Sequence, residues 1–428
     1  MLSLAKLTDP DRNAAFATAG LIVSFLCFAY STRYGPGLIL LFYAAWLPLV
    51  VLDPRLVLVR PAPLVVMGTF AAFATLSVLW SAALDVSARA AVQYLTCLLA
   101  AAVAARILST RTLTMGGAIA VSVVTSWSVV FGRSSYDPID ASYTFVGLFG
   151  SKNQLGFYAS IGVMLAAARL LIGPRPVTAV LGMAALMAFN GAVVVASGSA
   201  TSMLTLAAGL GALAALRGLT GLPARMRPAI VVAMLLAGAV ALAAALWAGA
   251  LDAVLGLFGK DATLTGRTYL WSEGIRFGDE APWLGVGYQA WWVRGFAEAE
   301  RLWSEFYISS RSGFHFHNTF IQLYVDLGIA GLGLYVGTVV VVAILALRRV
   351  CRTPGHGPLL DASVLLVLVL RAFVEVDTLQ PYTLGTFLFY LVAVRVAGPA
   401  PVARPASAGA IAMRSMPYPA SGVARASM

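Results

Sequence analysis

The sequence predicts an all-α protein that crosses a membrane many times. Hydrophobic residues make up 60% of the 428 residues and charged residues only 11%, whereas about a quarter of the residues in a soluble domain are charged. The apolar runs are about 17–25 residues long, the length that a helix needs to cross roughly 30 Å of hydrocarbon. Because short segments with regular β-type alternation are absent, we do not expect an outer-membrane barrel.

We predict about twelve transmembrane helices from the apolar runs. They lie at about 13–31, 36–52, 62–80, 90–108, 114–131, 153–172, 177–196, 199–216, 229–251, 317–346, 359–376 and 381–397. One large loop, 252–316, separates helices nine and ten, and a second loop covers about 132–152. Residues 399–428 are rich in Pro, Ala, Ser and Gly, a composition typical of a disordered tail. The predicted domains are therefore a transmembrane domain over 1–398 and a disordered cytoplasmic tail over 399–428.

The distribution of basic residues predicts the orientation of the chain. Most of the 29 Lys and Arg residues fall in connections on the same side as the N-terminus. Because Lys and Arg in short loops mark the cytoplasmic side, we predict that both termini are cytoplasmic and that the loop 252–316 is external. The same pattern accounts for the net charge of +11 without a nucleic-acid partner. The three cysteines lie far apart and form neither a disulfide framework nor a metal-binding spacing.

The large loop concentrates the polar chemistry of the chain. It contains Gly266-Arg267-Thr268-Tyr269-Leu270-Trp271 and His315-Phe316-His317-Asn318, with two of the three histidines and five of the nine tryptophans. This concentration predicts chemistry at the membrane surface. The tryptophans are either anchors at the membrane interface or apolar faces that pack on sugar rings: Trp271, Trp283, Trp291, Trp292 and Trp303.

We predict that Arg267 lies near the N-terminus of a short amphipathic helix on the membrane surface. A guanidinium there could join the N–H groups of the helix end in holding a diphosphate, because its two parallel donors match an oxyanion. The alternative is an arginine that anchors the loop to lipid headgroups, and spacing alone favours that alternative.

The histidines lie where the loop returns to the membrane. A neutral His317 could take a proton from a hydroxyl, although it could equally be a polar entry to the helix. Asn318 could orient a substrate or cap that helix. His315 and His317 have the spacing of a zinc site but no third ligand nearby in sequence, so we predict no metal.

Arg371 and Glu375 fall in the eleventh predicted helix, one helical turn apart. A charge inside the bilayer is costly unless it faces a partner or a wet cavity. The two side chains could neutralise each other, or Arg371 could lend positive charge to an anionic substrate. Asp326 in the tenth helix poses the same question.

The order and spacing of several fragments resemble the superfamily of O-antigen ligases and Wzy-type exopolysaccharide polymerases, which are bacterial membrane glycosyltransferases with a GT-C-like helical fold. The resemblance covers about residues 145–380. Besides Gly266–Trp271, it rests on Phe149-Gly150-Ser151-Lys152-Asn153-Gln154-Leu155-Gly156, Pro282-Trp283-Leu284-Gly285-Val286-Gly287-Tyr288, His317-Asn318-Thr319-Phe320, Leu327-Gly328-Ile329-Ala330-Gly331 and Arg371-Ala372-Phe373-Val374-Glu375.

The resemblance implies an enzyme of the bacterial inner membrane. Such enzymes take a glycan from undecaprenyl diphosphate and transfer it to a sugar hydroxyl at the periplasmic face, without a cofactor, metal or nucleotide sugar. The acceptor is lipid A–core in ligases and another lipid-linked repeat unit in polymerases. Membrane lipids and other polysaccharide assembly proteins are the further partners that the resemblance implies.

The same resemblance implies roles for individual residues. Arg267 would bind the diphosphate of the donor and His317 would deprotonate or steer the acceptor hydroxyl, while Lys152 and Arg371 would add positive charge at the diphosphate. We expect these four residues to converge on one cavity open to the outer leaflet. Three neighbours are expected to support them: Asn318, Glu375 and His315.

One departure from the family pattern concerns residue 200. The family often has a basic residue in this segment, and the chain has Ala200, so Lys152 or Arg371 would need to supply that charge. The Pro-Trp-Leu-Gly and Gly-Ser-Ala-Thr-Ser stretches resemble the polymerases somewhat more than the ligases. A transporter or flippase of polysaccharide precursors is the alternative from another class, but two related halves, typical of many transporters, are absent.

Overall fold

The computed structural model describes residues 4–398, apart from 59–60, 138–141, 172–175, 251–252, 254–255, 257–265 and 354. The chain up to Gly398 forms one compact unit. The predicted tail 399–428 and most of the first part of the large loop lie outside the described residues, so the prediction of a disordered tail is not tested.

The structure is mostly helical. The helices are α1 (Leu4–Thr8), α2 (Ala14–Tyr34), α3 (Gly37–Leu52), α4 (Arg55–Leu58), α5 (Pro61–Leu76), α6 (Leu84–Ile107), α7 (Thr110–Phe131), α8 (Lys152–Leu171), α9 (Val177–Ser197), α10 (Ala200–Leu219), α11 (Arg227–Trp247), α12 (Arg267–Gly278), α13 (Ala297–Glu305), α14 (Thr319–Arg352), α15 (Gly357–Ala372) and α16 (Leu384–Ala397). A 3₁₀ turn, Ser77–Trp80, follows α5.

Eight of the described helices are long and apolar enough to cross a membrane: α2, α6 to α11 and α14. The chain is therefore a polytopic membrane protein. Each of the twelve predicted segments contains a helix, but α3, α5, α15 and α16 are only 14–16 residues long. The count of twelve spans thus remains a prediction, as does the side of the membrane on which the large loop lies.

Helix α8 lies at the centre of the bundle, where it packs against α7, α9 and α10. Small residues permit this close packing, as is usual between helices in a membrane. A Cβ atom on Gly162 would lie 2.8 Å from Cγ of Asn190 in α9, and one on Gly156 would lie 2.6 Å from Oγ of Ser202 in α10. The N-terminal end of α8 is thereby held against the first turn of α10.

A β-hairpin precedes α8 in the second loop, where the sequence predicted only a connection. Its strands are β1 (Arg133–Asp137) and β2 (Ser142–Gly147), which pair antiparallel. Gly147 ends β2 with φ +62°, and a Cβ there would overlap Oγ of Ser128. The hairpin therefore turns tightly against α7 just before the start of α8.

The large loop folds on its own hydrophobic core. Trp291 and Trp303 are buried in it with Leu270 and Phe277, and Val325 of α14 contributes to the same cluster. Trp283, in contrast, is exposed. Trp291 and Trp303 therefore serve mainly to stabilise the loop. The sequence analysis had considered only membrane anchoring and packing on sugar rings.

Two of the family fragments form a joint between the loop and α14, which we call the loop–α14 joint. Helix α14 is interrupted at Gly328, which has φ +63° and ψ −168°. Backbone N–H groups of Val286 and Gly287 donate to carbonyls of α14 before the break, and N–H groups after the break donate to Pro282 and Trp283. Each side thus satisfies backbone groups that the interruption leaves without a helical partner.

Candidate active site

Glu375 is the centre of the candidate site. Oε1 of its carboxylate accepts hydrogen bonds from Nη2 of Arg267 at 2.8 Å and Nδ2 of Asn153 at 2.7 Å, and Oε2 lies 3.3 Å from Nδ1 of His317. The predicted position of Glu375 inside a helix was wrong, because α15 ends at Ala372. Glu375 instead lies in the connection between α15 and α16, where an irregular backbone lets it face three elements at once.

The Glu375 carboxylate is held in its charged form. Burial raises its pKa, but the charges of Arg267 and His317 and the hydrogen bond from His317 outweigh burial, so the pKa lies well below its usual value. A buried carboxylate with an opposite charge within a few ångströms behaves in this way. Glu375 can therefore act as a fixed negative charge between the arginine and the histidine.

His317 is held in an unusual backbone conformation. Its φ is +51°, in the left-handed region that non-glycine residues rarely adopt, and its backbone N–H donates to Nδ1 of His315 at 3.1 Å. The His317 side chain keeps 22% of its area exposed. If Nδ1–H donates to Glu375, the lone pair of Nε2 is free to accept a proton.

Arg267 begins α12, as the sequence predicted. Gly266 precedes it with φ +76°, a conformation that favours glycine. The guanidinium is 14% exposed and donates through Nη1 to the carbonyl of Val374 as well as through Nη2 to Glu375. Since a guanidinium has five N–H groups, donors remain for a ligand.

Arg371 lies in the last turn of α15, inside the eleventh predicted segment. It is only 1% exposed and pairs with Asp377, not with Glu375. Its Nη1 also lies 3.4 Å from Oγ of Ser202, and its guanidinium lies over the ring of Phe157. A buried, ion-paired guanidinium is poorly placed to contact a substrate directly, and we infer that Arg371 instead positions the connection that contains Glu375.

Asn153 and Ser199 were not singled out as site residues by the sequence reasoning. Oδ1 of Asn153 accepts a hydrogen bond from Oγ of Ser199 at 2.8 Å, which fixes the amide so that Nδ2 points to Glu375. Lys152 directly precedes Asn153 as the first residue of α8. The position of Asn153 in the 149–156 fragment was the available signal, but in that fragment the sequence reasoning considered only the lysine.

Asn318 caps α14, one of the two roles left open above. Its Oδ1 accepts from the N–H groups of Phe320 and Ile321, and its Nδ2 donates to the carbonyl of Phe373 at 3.0 Å. The cap thereby also ties the start of α14 to the connection that contains Glu375.

His315, His317 and Glu375 are close enough to hold a metal ion, with one donor atom from each within 4.8 Å of the others. Two atoms of these residues already have hydrogen-bond partners. Nδ1 of His315 accepts the N–H of His317, and Oε1 of Glu375 accepts from Arg267 and Asn153. Burial, with the neighbouring charge of His317, lowers the pKa of His315 to about 3, so His315 is a neutral acceptor at neutral pH.

Comparisons with known proteins identify the family. The chain is 44% identical to the exopolysaccharide production protein ExoQ of Rhizobium meliloti (strain 1021) over 403 residues, which cover 93% of this chain and 92% of that protein. This chain belongs to the O-antigen ligase and exopolysaccharide polymerase family of bacterial membrane glycosyltransferases.

A family model described as O-antigen ligase matches residues 184–336. The matched stretch contains Arg267, His317 and both sides of the loop–α14 joint, whereas Asn153 and Glu375 lie outside it. The candidate site therefore combines residues of that stretch with residues from segments before and after it.

Proposed function

We propose that the protein polymerises polysaccharide repeat units by transferring a glycan from undecaprenyl diphosphate to a sugar hydroxyl at the external face of the inner membrane. The observation that supports this reaction best is the shared carboxylate of Glu375, which joins Arg267 to His317. One carboxylate thus holds both the cation that would face the leaving diphosphate and the base that would face the acceptor hydroxyl.

The chemistry needs few protein groups. The acceptor oxygen forms a bond to the anomeric carbon of the donor glycan as the bond from that carbon to the diphosphate oxygen breaks. The hydroxyl proton passes to Nε2 of His317, and Glu375 stabilises the imidazolium that forms. Arg267, together with Lys152, stabilises the negative charge that develops on the departing diphosphate.

A metal ion is not required in this proposal, because arginine and lysine supply the positive charge that a metal would otherwise provide at a diphosphate. Transfer by the purified protein should therefore persist when divalent cations are chelated. A complete and metal-reversible loss of transfer would instead assign His315, His317 and Glu375 as metal ligands.

Ligation of the glycan to lipid A–core is the second candidate function, because the matching family model is described as O-antigen ligase. The polymerase is favoured because the relative that shares 44% of its sequence is an exopolysaccharide production protein. Both reactions use the same donor chemistry and differ in the acceptor.

The test is deletion of the gene in its source organism, with complementation by wild type or by His317→Ala. Loss of high-molecular-weight secreted polymer that only the wild type restores supports a polymerase. Loss of the ladder on lipopolysaccharide, restored likewise, supports a ligase. If the His317→Ala protein restores everything that the wild type does, the role proposed for this histidine is wrong.

A further inference from the structure

A groove lies on the large loop between the end of α13 and residues 307–311. Its volume is about 640 Å³, within the range of about 300–1,000 Å³ typical of ligand sites. We propose that this groove binds an oligosaccharide, namely the part of the acceptor or donor glycan beyond the two sugars that react. The inference rests on the proposed glycan transfer and adds a second binding region to it.

The groove presents the two kinds of surface that a sugar requires. The ring of Tyr307 is 69% exposed and offers an apolar face, as an amphipathic aromatic side chain does. Arg294 and Arg311 supply hydrogen-bond donors, and Glu300 supplies acceptors. Sugar hydroxyls both donate and accept, so they can bond to this mixed set while the apolar face of the ring packs on the tyrosine.

The polar groups of the groove are held in place before any ligand binds. Nε of Arg311 lies 2.9 Å from Oε2 of Glu300, and the N–H of Gly295 donates to Oε1 of the same carboxylate at 3.1 Å. Nη2 of Arg294 donates to the carbonyl of Ser310 at 3.2 Å. Groups that are already ordered lose less entropy on binding.

The backbone of the groove is unusual at two positions. Tyr307 and Arg311 have φ values of +58° and +47°, in the left-handed region. Such conformations cost energy and cluster at ligand-binding and active sites, where the surrounding structure enforces them. Here the N–H of Ile308 donates to the carbonyl of Trp303 at 2.7 Å and holds the turn against α13.

Aromatic rings connect the groove to His317. Trp303 lines the groove, and its ring centroid lies 5.9 Å from that of Trp292. Trp292 lies 5.1 Å from Phe314, and Phe314 lies 5.6 Å from His317. The groove is thus separated from the proposed base by a short row of rings, so one glycan a few sugars long could reach both.

The charges of the groove favour a glycan over a phospholipid headgroup. Glu300 lines the same groove and neutralises Arg311. Its carboxylate would repel a phosphate, whereas it accepts hydrogen bonds from sugar hydroxyls. A groove built for an anionic headgroup would leave both guanidiniums available.

We expect contacts in the groove to affect the affinity for the substrate more than the rate at which the bound substrate reacts. The groove contacts sugars remote from the reacting bond, and such contacts are equally strong in the ground state and the transition state. Removing them therefore raises KM and leaves kcat unchanged. The effect should appear only with acceptors long enough to reach the groove.

The first experiment measures binding without transfer. The purified protein in lipid nanodiscs, with no lipid-linked donor, is titrated by calorimetry with phosphate-free oligosaccharides released from the secreted polymer of the source organism. Tyr307→Ala removes the stacking face and Ser304→Trp fills the groove. We expect each to weaken binding about tenfold, a change of about 1.4 kcal/mol. Tyr136→Ala, an exposed tyrosine on the β-hairpin, serves as the matched control and should bind as the wild type does.

The second experiment measures transfer by the same variants with a single-repeat acceptor and with an acceptor of several repeats. We expect a higher KM for the long acceptor only, unchanged kcat, and shorter polymer. Unchanged oligosaccharide binding in both groove variants overturns the inference. The inference is also overturned if the protein binds phosphatidylglycerol vesicles but not the oligosaccharide, and if this vesicle binding depends on Arg294 and Arg311. If the wild type binds the oligosaccharide but transfers no glycan, the proposed function is wrong, whereas the proposed binding of oligosaccharide in the groove is supported.

Discussion

At the scale of single residues, Glu375 determines the geometry of the site because three side chains from three helices or their entries meet on one carboxylate. Arg267 and Asn153 share Oε1, and His317 faces Oε2. A buried carboxylate keeps its charge only when partners of this kind stabilise it. The substitution that tests the site most directly is therefore one that removes the charge and keeps the shape.

We expect Glu375→Gln to slow glycan transfer by about 10²–10⁴-fold, by analogy with the loss when the carboxylate behind a catalytic histidine is replaced by an amide. The amide no longer favours the tautomer with Nδ1 protonated, and it no longer stabilises the imidazolium. The rate of transfer by purified protein is the measurement. Glu280→Gln, an exposed glutamate of the same loop, is the control, and equal rates for both variants would contradict the role of Glu375.

His315 predicts a dependence of stability on pH. Its pKa is lowered by burial to about 3 from 6.5, so the unfolded chain binds a proton that the folded chain does not. The stability that His315 contributes is complete above pH 6.5 and is lost as the pH falls from there towards 3, by about 1 kcal/mol at pH 5.5. Asn at this position keeps an acceptor for the N–H of His317 and does not titrate.

The measurement is thermal unfolding of the wild type and of His315→Asn at pH 7.5 and pH 5.5. We expect the wild type to lose more stability than the variant on acidification. An equal loss in both proteins would mean that His315 is protonated in the folded state at pH 5.5.

At the scale of elements, the loop–α14 joint explains why two glycine-containing fragments occur in this chain. A Cβ on Gly285 would lie 2.4 Å from the backbone of Asp326, and one on Gly328 would lie 2.3 Å from the backbone of Trp283. Neither backbone can move without breaking the hydrogen bonds between them. The joint sets the position of α12, and hence of Arg267, relative to α14 and His317.

We expect Gly328→Ala to destabilise the protein by about 3 kcal/mol or more, because it combines a positive φ with a backbone overlap. Gly333→Ala is the matched control, since Gly333 lies in the same helix and a Cβ there meets nothing within 4 Å. The measurement is the yield of folded protein and its unfolding temperature in detergent. Similar stability of the two variants would show that the joint adjusts to a side chain.

The ends of the helices and strands differ in how well the sequence predicts them. The start of α12 at Arg267 and the capping of α14 by Asn318 depend on local backbone rules and were predicted, the cap as one of two alternatives. The end of α15 at Ala372 was missed, because the apolar pattern continues to Val376. The connection after it is held by residues distant in sequence, since Asn318 and Thr319 donate to carbonyls of this connection. The hairpin β1–β2 was missed for a different reason, because its strands of five and six residues are too short to give a clear alternation.

At the scale of the whole molecule, the orientation in the membrane remains a prediction that chemical labelling can test. The cysteines Cys27, Cys97 and Cys351 are buried, so a membrane-impermeant thiol reagent should give little background. We expect Ser309→Cys in the large loop to react on intact spheroplasts and Lys6→Cys to react only after the membrane is opened. The reverse pattern would place the candidate site on the cytoplasmic side.

The sequence by itself determined the class of protein, the positions of most helices, and the two loop fragments that contain Arg267 and His317. These features depend on the length of apolar runs and on local backbone preferences, which consecutive residues determine. Only the tertiary structure decided the site. Glu375 is 222 residues from Asn153, 108 from Arg267 and 58 from His317, and no periodicity relates residues so far apart. The packing of α8, α12, α14 and α15 brings them together, and the burial of Arg371 against Asp377 follows from that same packing.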